Sequence, residues 1–305
     1  MKKERFTFAG GSGRTLHGAV WFPDGKVRKV LQVVHGMTEH IERYEKLAET
    51  LTAEGIAVAG FDLRGHGHNP GTPQMAVFRE GDAEASLEDI HVFRMLLTER
   101  FGGVPLVLLG FSLGSFLVRE YLGRFGEGLA GAVIMGTGWQ PQAVLGAIMM
   151  VVKSQVKKAG YEGTTPLVKK LSFGTYNGKF APNRTEADWL CSDEGELDAY
   201  LADPLTRQNI SAGLFLQLLG MMKSTGSAAS YAGWPKNLSV LLLSGQEDPV
   251  GDFGKGVLQV QKDMEKAGLE KVELEFYLGG RHDILHEEES GTAGAVRERI
   301  LEWMR

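Results

Sequence analysis

The chain has almost no cysteine. Of 305 residues only Cys191 carries a thiol, so no intrachain disulfide can form and the composition fits a reducing compartment. It also lacks a dense block of one charge. Lys and Arg number 33 against 38 Asp and Glu, a net charge of -5, which favours solubility and argues against a nucleic-acid partner. The nearest thing to a basic cluster, Lys153, Lys157 and Lys158, has the spacing of one solvated helix face. Long apolar runs are missing too. The longest uncharged stretch, Gly128 to Val152, is interrupted by Gly136-Thr-Gly-Trp-Gln-Pro141, which suits a strand, a turn and a helix start rather than a membrane span. The first residues, Met1-Lys-Lys-Glu-Arg-Phe-Thr-Phe8, are basic but lead into no apolar segment of the kind a secretory signal needs. The expectation is a soluble, cytoplasmic protein. Internal repeats, low-complexity tracts and flexible linkers are absent as well.

With 43% hydrophobic and 23% charged residues, this length suits one large domain or a domain carrying an insertion. Strand and helix patterns alternate through the first 136 residues. Arg5–Ala9 and Leu16–Phe22 read as strands joined by the glycine turn at 10–13, and Val30–Val34 as a short buried strand. A helix follows over 43–54, with Tyr44, Leu47, Ala48 and Leu51 on one side and Gly55 as its stop. Ile56–Phe61 is a strand. Ala83–Phe101 is a helix with Leu87, Ile90, Phe93, Leu96 and Leu97 on one face. Then come strand 104–110, helix 114–125 and strand 130–135. This alternation predicts an α/β fold, a mostly parallel eight-stranded sheet with helices on both faces.

The rhythm stops at Gly136. Residues 139–231 read as a helical, loop-rich insertion, with helices over 143–158, 186–191, 194–201 and 210–222. It resumes with strand 238–243, helix 253–267, strand 272–278 and a terminal helix over 294–304. The expected organisation is a core of residues 1–138 and 232–305 with a cap over 139–231.

The most informative stretch is Gly110-Phe-Ser112-Leu-Gly114. It falls between an apolar strand and a helix. That is the context of a nucleophile elbow, a sharp turn in which a serine sits between small flanking residues. A serine hydroxyl is a weak nucleophile near neutral pH and needs a base, itself oriented by an acid. In open parallel sheets such groups sit beyond the carboxyl ends of strands. Asp248 follows strand 238–243 and His282 follows strand 272–278, in the chain order Ser, Asp, His of this architecture. Glu247 stands beside Asp248 as a rival acid, and His286 near His282 as a rival base. Asp248 also has a plain structural reading, as the N-cap of the next helix.

Acyl transfer places negative charge on the carbonyl oxygen, so two backbone N–H donors are expected. Leu113 would supply one at the start of its helix and Met37, in His35-Gly-Met37-Thr-Glu-His40, the other. Gly36 lets the backbone come close, and Gly36 and Trp139 are expected at the substrate pocket. His35, Glu39 and His40 match no zinc spacing. No metal or cofactor is expected, and hydrogen-bonded loop structure is the reading for these three. Asp62 and Arg64, in Asp62-Leu-Arg-Gly-His-Gly67-His68, are read as holding that loop through backbone groups, which leaves His66 and His68 outside the chemistry. Cys191 lies among carboxylates that would raise its pKa, so it is not the nucleophile.

Five blocks in order, HGMTEH at 35–40, FDLRGHGHN at 61–69, GFSLGS at 110–115, SGQEDPV at 244–250 and GGRHDILHE at 279–287, resemble the α/β-hydrolase superfamily. Within it they are most similar to the monoglyceride-lipase-like and lysophospholipase-like branch, also labelled serine aminopeptidase-like. The cap stretch 173–205 resembles bacterial members. The resemblance implies a triad of Ser112, Asp248 and His282, oxyanion donors at Met37 and Leu113, acyl-ester substrates such as monoacylglycerols or lysophospholipids, and no cofactor. One departure stands out: the family's small serine after the Gly-His-Gly turn is replaced here by His68-Asn69.

Two apolar cap segments, 143–152 and 210–219, either line a lipid tunnel, touch a lipid surface transiently, or only pack the cap on the core. An aminopeptidase would need an acidic grip on the substrate amine, for which Glu186, Asp188, Asp193, Glu194 and Glu196 are candidates. A non-catalytic ligand-binding module is the third class, although such modules usually lose triad members. Oligomeric state is not legible.

Overall fold

Successive side chains along a strand point to opposite faces of the sheet, and helices cover both faces of its central strands. This is why the central strands read as continuous hydrophobic runs, whereas the first and last strands of the sheet, Lys2–Ala9 and Lys271–Tyr277, alternate. In the computed structural model, which describes residues 1–69, 76–206 and 209–305, the strands are β1 (Lys2–Ala9), β2 (Thr15–Phe22), β3 (Lys29–Val34), β4 (Ile56–Phe61), β5 (Leu106–Phe111), β6 (Gly131–Met135), β7 (Ser239–Gly245) and β8 (Lys271–Tyr277). They form one sheet in the order β1-β2-β4-β3-β5-β6-β7-β8. The β1–β2 and β2–β4 pairs are antiparallel and every later pair is parallel. The α/β class and the mostly parallel eight-stranded sheet are as the sequence predicts.

The core helices are α1 (Glu45–Ala53), α2 (Asp82–Arg100), α3 (Leu113–Phe125), α8 (Lys255–Lys266) and α9 (Thr292–Met304). On one face Leu47 and Leu51 of α1 and Val296 and Ile300 of α9 pack on Leu31, Val58, Val107 and Leu109. On the other, Ile90 and Phe93 of α2, Leu117 of α3 and Val260 of α8 pack on Val30, Leu106 and Leu108. The expected stripe of α2 needs one correction. Leu96 is exposed, because the buried line runs through 87, 90, 93 and 97, and 96 lies one residue off it.

Between β6 and β7 the chain builds α4 (Gln142–Ala159), α5 (Pro166–Ser172), α6 (Glu194–Ala202) and α7 (Ala212–Ser224). Residues 207 and 208, within the expected cap, lie outside the described residues. Local caps start three of these helices. Thr165 accepts from Val168 N–H, Asp193 from Glu196 N–H and Ser211 from Leu214 N–H. The helix α5 escaped the sequence reading even though Thr165-Pro166 is an N-cap followed by proline at the first helical position. The helix expected over 186–191 is instead a turn. There the Asp188 carboxylate takes the Arg184 and Thr185 N–H groups, and Asn177 Oδ1 takes Trp189 N–H at 2.9 Å, so side chains replace the helical ladder.

Candidate active site

Ser112 stands at the turn from β5 into α3 with φ 49° and ψ -116°, a strained conformation for a residue with a Cβ. The neighbours hold it there. Ser112 N–H donates to Met135 O at 3.0 Å. A Cβ on Gly114 would lie 2.0 Å from Val34 O, and one on Gly110 would lie 2.5 Å from Gly114 O. Gly114 is required because α3 starts in contact with the end of β3, and Gly110 because the strand before the turn lies against the first turn of α3.

The loops after β7 and β8 carry Asp248 and His282. His282 Nε2 lies 2.9 Å from Ser112 Oγ, and its Nδ1 lies 2.9 Å from Asp248 Oδ2. Asp248 is fully buried and His282 nearly so. Burial acts to lower the histidine's pKa, but the Asp248 charge and hydrogen bond, with help from Asp283 and Glu39, leave it above its ordinary value of 6.5. The ring is flanked by Phe111 and Trp189, with centroids at 5.0 and 5.1 Å. Neither rival takes these places. Glu247 is exposed, and His286 bonds Asp283 Oδ1 at 2.9 Å and Arg43 O at 3.2 Å, in the loop ahead of α9. Asp248 does not cap α8, whose N-cap is Gly254.

Met37 lines a small cavity together with Ser112 and His282. Among the described residues neither Met37 N–H nor Leu113 N–H has an acceptor, and Leu113 opens α3, where the first N–H groups have no partner within the helix. The Met37 loop is braced from behind. The Glu39 carboxylate accepts from Gly36 N–H and from Tyr44 OH, and Arg43 binds Glu39 at 2.8 Å and Asp283 at 2.9 Å. Arg43 therefore ties the loop before Ser112 to the loop of His282. The sequence reading missed it, although Glu39 and Arg43 have the i,i+4 spacing of an ion pair. Tyr200 of α6 reaches the same loop through Thr38 Oγ1 at 2.8 Å.

The cavity at Ser112 measures about 20 Å³. Thr38, Phe173, Trp189, Leu190 and Tyr200 line both it and a cavity of about 520 Å³ bordered mainly by residues of 169–210. Lys169, Lys170 and Glu186 border the larger space. Neither of the residues expected at the pocket lines these cavities. Gly36 backs onto Glu39 and Phe111, where a Cβ would lie 2.9 and 3.0 Å from them, and Trp139 donates Nε1–H to Gly226 O at 2.9 Å. Trp189 holds the place instead. Its ring meets Phe173, Tyr176 and His282, with centroids at 5.6, 5.0 and 5.1 Å. The turn carrying it is locked to the histidine loop. Asp283 N–H donates to Leu190 O at 2.7 Å, Arg281 Nη1–H to Asp188 O at 2.5 Å, and the Glu287 carboxylate binds Ser192 N–H and Arg281 N–H.

The remaining candidates are structural. His35 accepts Leu63 N–H at 2.8 Å, and burial lowers its pKa to about 4, so it is neutral. Burial also lowers His66 to about 3. His40 pairs with Asp203 at 2.8 Å. Asp62 holds its loop through the Ile41 and His68 N–H groups as expected, whereas Arg64 pairs with the side chains of Asp89, Asp82 and Ser12 rather than with backbone. Burial, then the charges of Glu287 and Asp283, push the Cys191 thiol far up. Among the described residues, one group of three potential metal ligands comes together, His17, Asp62 and His68, and none of them lines either cavity.

A family model described as "Serine aminopeptidase, S33" matches residues 25–289. A monoacylglycerol lipase of Mycolicibacterium smegmatis is 25% identical over 99% of this chain and 97% of its own. A mouse monoglyceride lipase is 27% identical over 96% and 87%. Among solved structures, a thermostable carboxyl esterase from Bacillus coagulans in complex with glycerol superposes with a TM-score of 0.88 at 23% identity, covering 100% of this chain and 98% of that one. A soluble variant of monoglyceride lipase from Saccharomyces cerevisiae, in complex with a substrate analogue, gives 0.74 at 20%, covering 98% and 93%.

Proposed function

The chain belongs to the serine aminopeptidase S33 family of α/β-hydrolases, and from that premise we propose that it hydrolyses carboxylic esters of an apolar acyl chain, monoacylglycerols first, through an acyl-enzyme on Ser112. One observation carries the reading: His282 bridges Ser112 Oγ and Asp248 Oδ2 at 2.9 Å on each side, the geometry a serine needs to lose its proton. His282 takes the Ser112 proton as the oxygen attacks the acyl carbonyl. The Met37 and Leu113 N–H groups receive the charge that develops on the carbonyl oxygen. His282 then protonates the leaving alcohol and activates the water that clears the acyl group.

Residues 139–231 act as a cap, and the acyl chain lies in the cavity of about 520 Å³, within the range of small-ligand sites. Trp189 guides its carbonyl end to Ser112. Lysophospholipids and short esters are the alternative substrates. An amine-gripping aminopeptidase is less well supported. Of the five acidic cap residues considered, Glu186 alone lines the cavity, beside two lysines that would repel a substrate ammonium. Among the described residues no helix is long and apolar enough to cross a membrane. The single cysteine supports a cytoplasmic setting. Met150, 70% exposed, with Val144, Val151 and Leu167 gives the cap an apolar surface for transient contact with lipid.

The test is a panel of monoacylglycerols, lysophospholipids, short aryl esters and amino-acid amides, with fluorophosphonate labelling alongside. Ser112→Ala should abolish labelling and lower ester turnover by about 10³-fold or more. An alanine variant that keeps most of its rate removes the assignment.

A further inference from the structure

Two histidines and an aspartate that the reaction does not use converge where the β2–β4 pairing ends. His17 is in β2, and Asp62 and His68 are in the loop after β4. Their ligating atoms all lie within 4.8 Å of one another. We propose that His17, Asp62 and His68 form a binding site for a divalent cation of the zinc type, with a structural rather than catalytic role.

The distances support a cation better than hydrogen bonds. His17 Nδ1 lies 3.4 Å and His68 Nδ1 3.6 Å from Asp62 Oδ2. Both are longer than an ordinary N–H···O bond. His17 Nδ1 is buried and has no hydrogen-bond partner among the described residues. Ligand atoms about 2.0–2.1 Å from a tetrahedral zinc ion stand about 3.3–3.4 Å from each other, so both histidine–carboxylate edges nearly match with no cation between them. Small side-chain rotations close the third edge.

The donor set is right as well. Two neutral imidazoles and one carboxylate suit zinc and its neighbours, and the single negative charge is drawn to a dication. The carboxylate is already aimed. Asp62 Oδ1 accepts Ile41 N–H at 2.9 Å and Oδ2 accepts His68 N–H at 2.8 Å, the kind of outer support that fixes a ligand. Asn69 ties the two segments together, taking His17 N–H at 2.8 Å and donating to Asp62 O and Leu63 O. His68 is exposed, which leaves an entry path and room for water as a fourth ligand. It also stands where the sequence departs from the pattern it otherwise follows. A bound cation would pin β2 to the loop after β4 and, through Asp62 and Ile41, to the segment beyond Met37.

The chelator-stripped protein is titrated with Zn²⁺ by calorimetry and with Co²⁺ by visible absorption. One equivalent should bind with micromolar affinity or better. The Co²⁺ complex should show the intense bands of four coordination, and saturation should raise the thermal midpoint by about 2–4 °C. H68S, at an exposed position, should lose binding while keeping the wild-type ester rate and metal-free stability, and H17Q should lose it too. The proposal is overturned if no stoichiometric binding occurs. It is equally overturned if H68S and H17Q bind as the parent does, or if zinc acts only by inhibiting turnover with no dependence on His68.

Discussion

In the proposed reaction His282 must be neutral to accept the Ser112 proton, and its surroundings oppose that. The Asp248 charge and hydrogen bond raise its pKa above 6.5 although burial acts to lower it. The acid limb of kcat/KM should therefore have its midpoint above 6.5, with activity rising as pH rises through it. Asp248→Asn removes the raising influence. It should lower that midpoint and reduce kcat by about 10²–10⁴-fold, which a pH–rate profile of the variant measures. The sign for stability is opposite. A histidine whose folded pKa is raised adds stability that is complete below its unfolded pKa and fades as pH climbs through the folded value. The thermal-midpoint difference between wild type and His282→Gln should thus be largest at acid pH and shrink above neutrality. The pair holds the fold best where it catalyses least.

At the scale of elements, the site is a junction of loops held by packing and buried charge. The start of α3 touches the end of β3, and a methyl group at Gly114 would collide with the backbone of Val34 and His35. Gly114→Ala should cost about 2–3 kcal/mol in denaturant unfolding and lower activity more than stability, because relief of the clash moves Ser112 and Leu113. Arg43 joins the Glu39 and Asp283 carboxylates, all three buried or nearly so. Removing one partner of such a network strands the others in a dry site. Arg43→Met should destabilise the protein by about 3–5 kcal/mol in urea unfolding. Ester turnover should fall even where the variant is folded, since the two loops it joins lose their common anchor.

For the whole molecule, the proposed acyl site is the larger of the two cavities described near Ser112. That cavity, of about 520 Å³, shares Thr38, Phe173, Trp189, Leu190 and Tyr200 with the small cavity at Ser112. Filling it at Ala187 should separate acyl chain lengths. Ala187→Trp is expected to lower kcat/KM for long-chain monoacylglycerols by about 10-fold or more while sparing short aryl esters, as steady-state assays across chain lengths would show. An equal loss on both would place the acyl chain elsewhere.

The sequence by itself determined the α/β sheet, the two-sided core and the positions of Ser112, Asp248 and His282 at strand ends. Periodicity, glycine spacing and chain order are local or ordered signals that survive without coordinates. Local chemistry also carried α5 and the Glu39–Arg43 pair, though these went unread. Other features existed only once distant segments met. Trp189 rather than Trp139 borders the cavities because Asn177 and Asp188 fold residues 184–190 into a turn, and the Asp283 and Arg281 bonds dock that turn on the histidine loop. The meeting of His17 with Asp62 and His68 likewise depends on β2 pairing with β4 across the intervening β3 in sequence. Tertiary structure decided these points because a side chain's partner is set by which segments pack together, and spacing along the chain does not encode that packing.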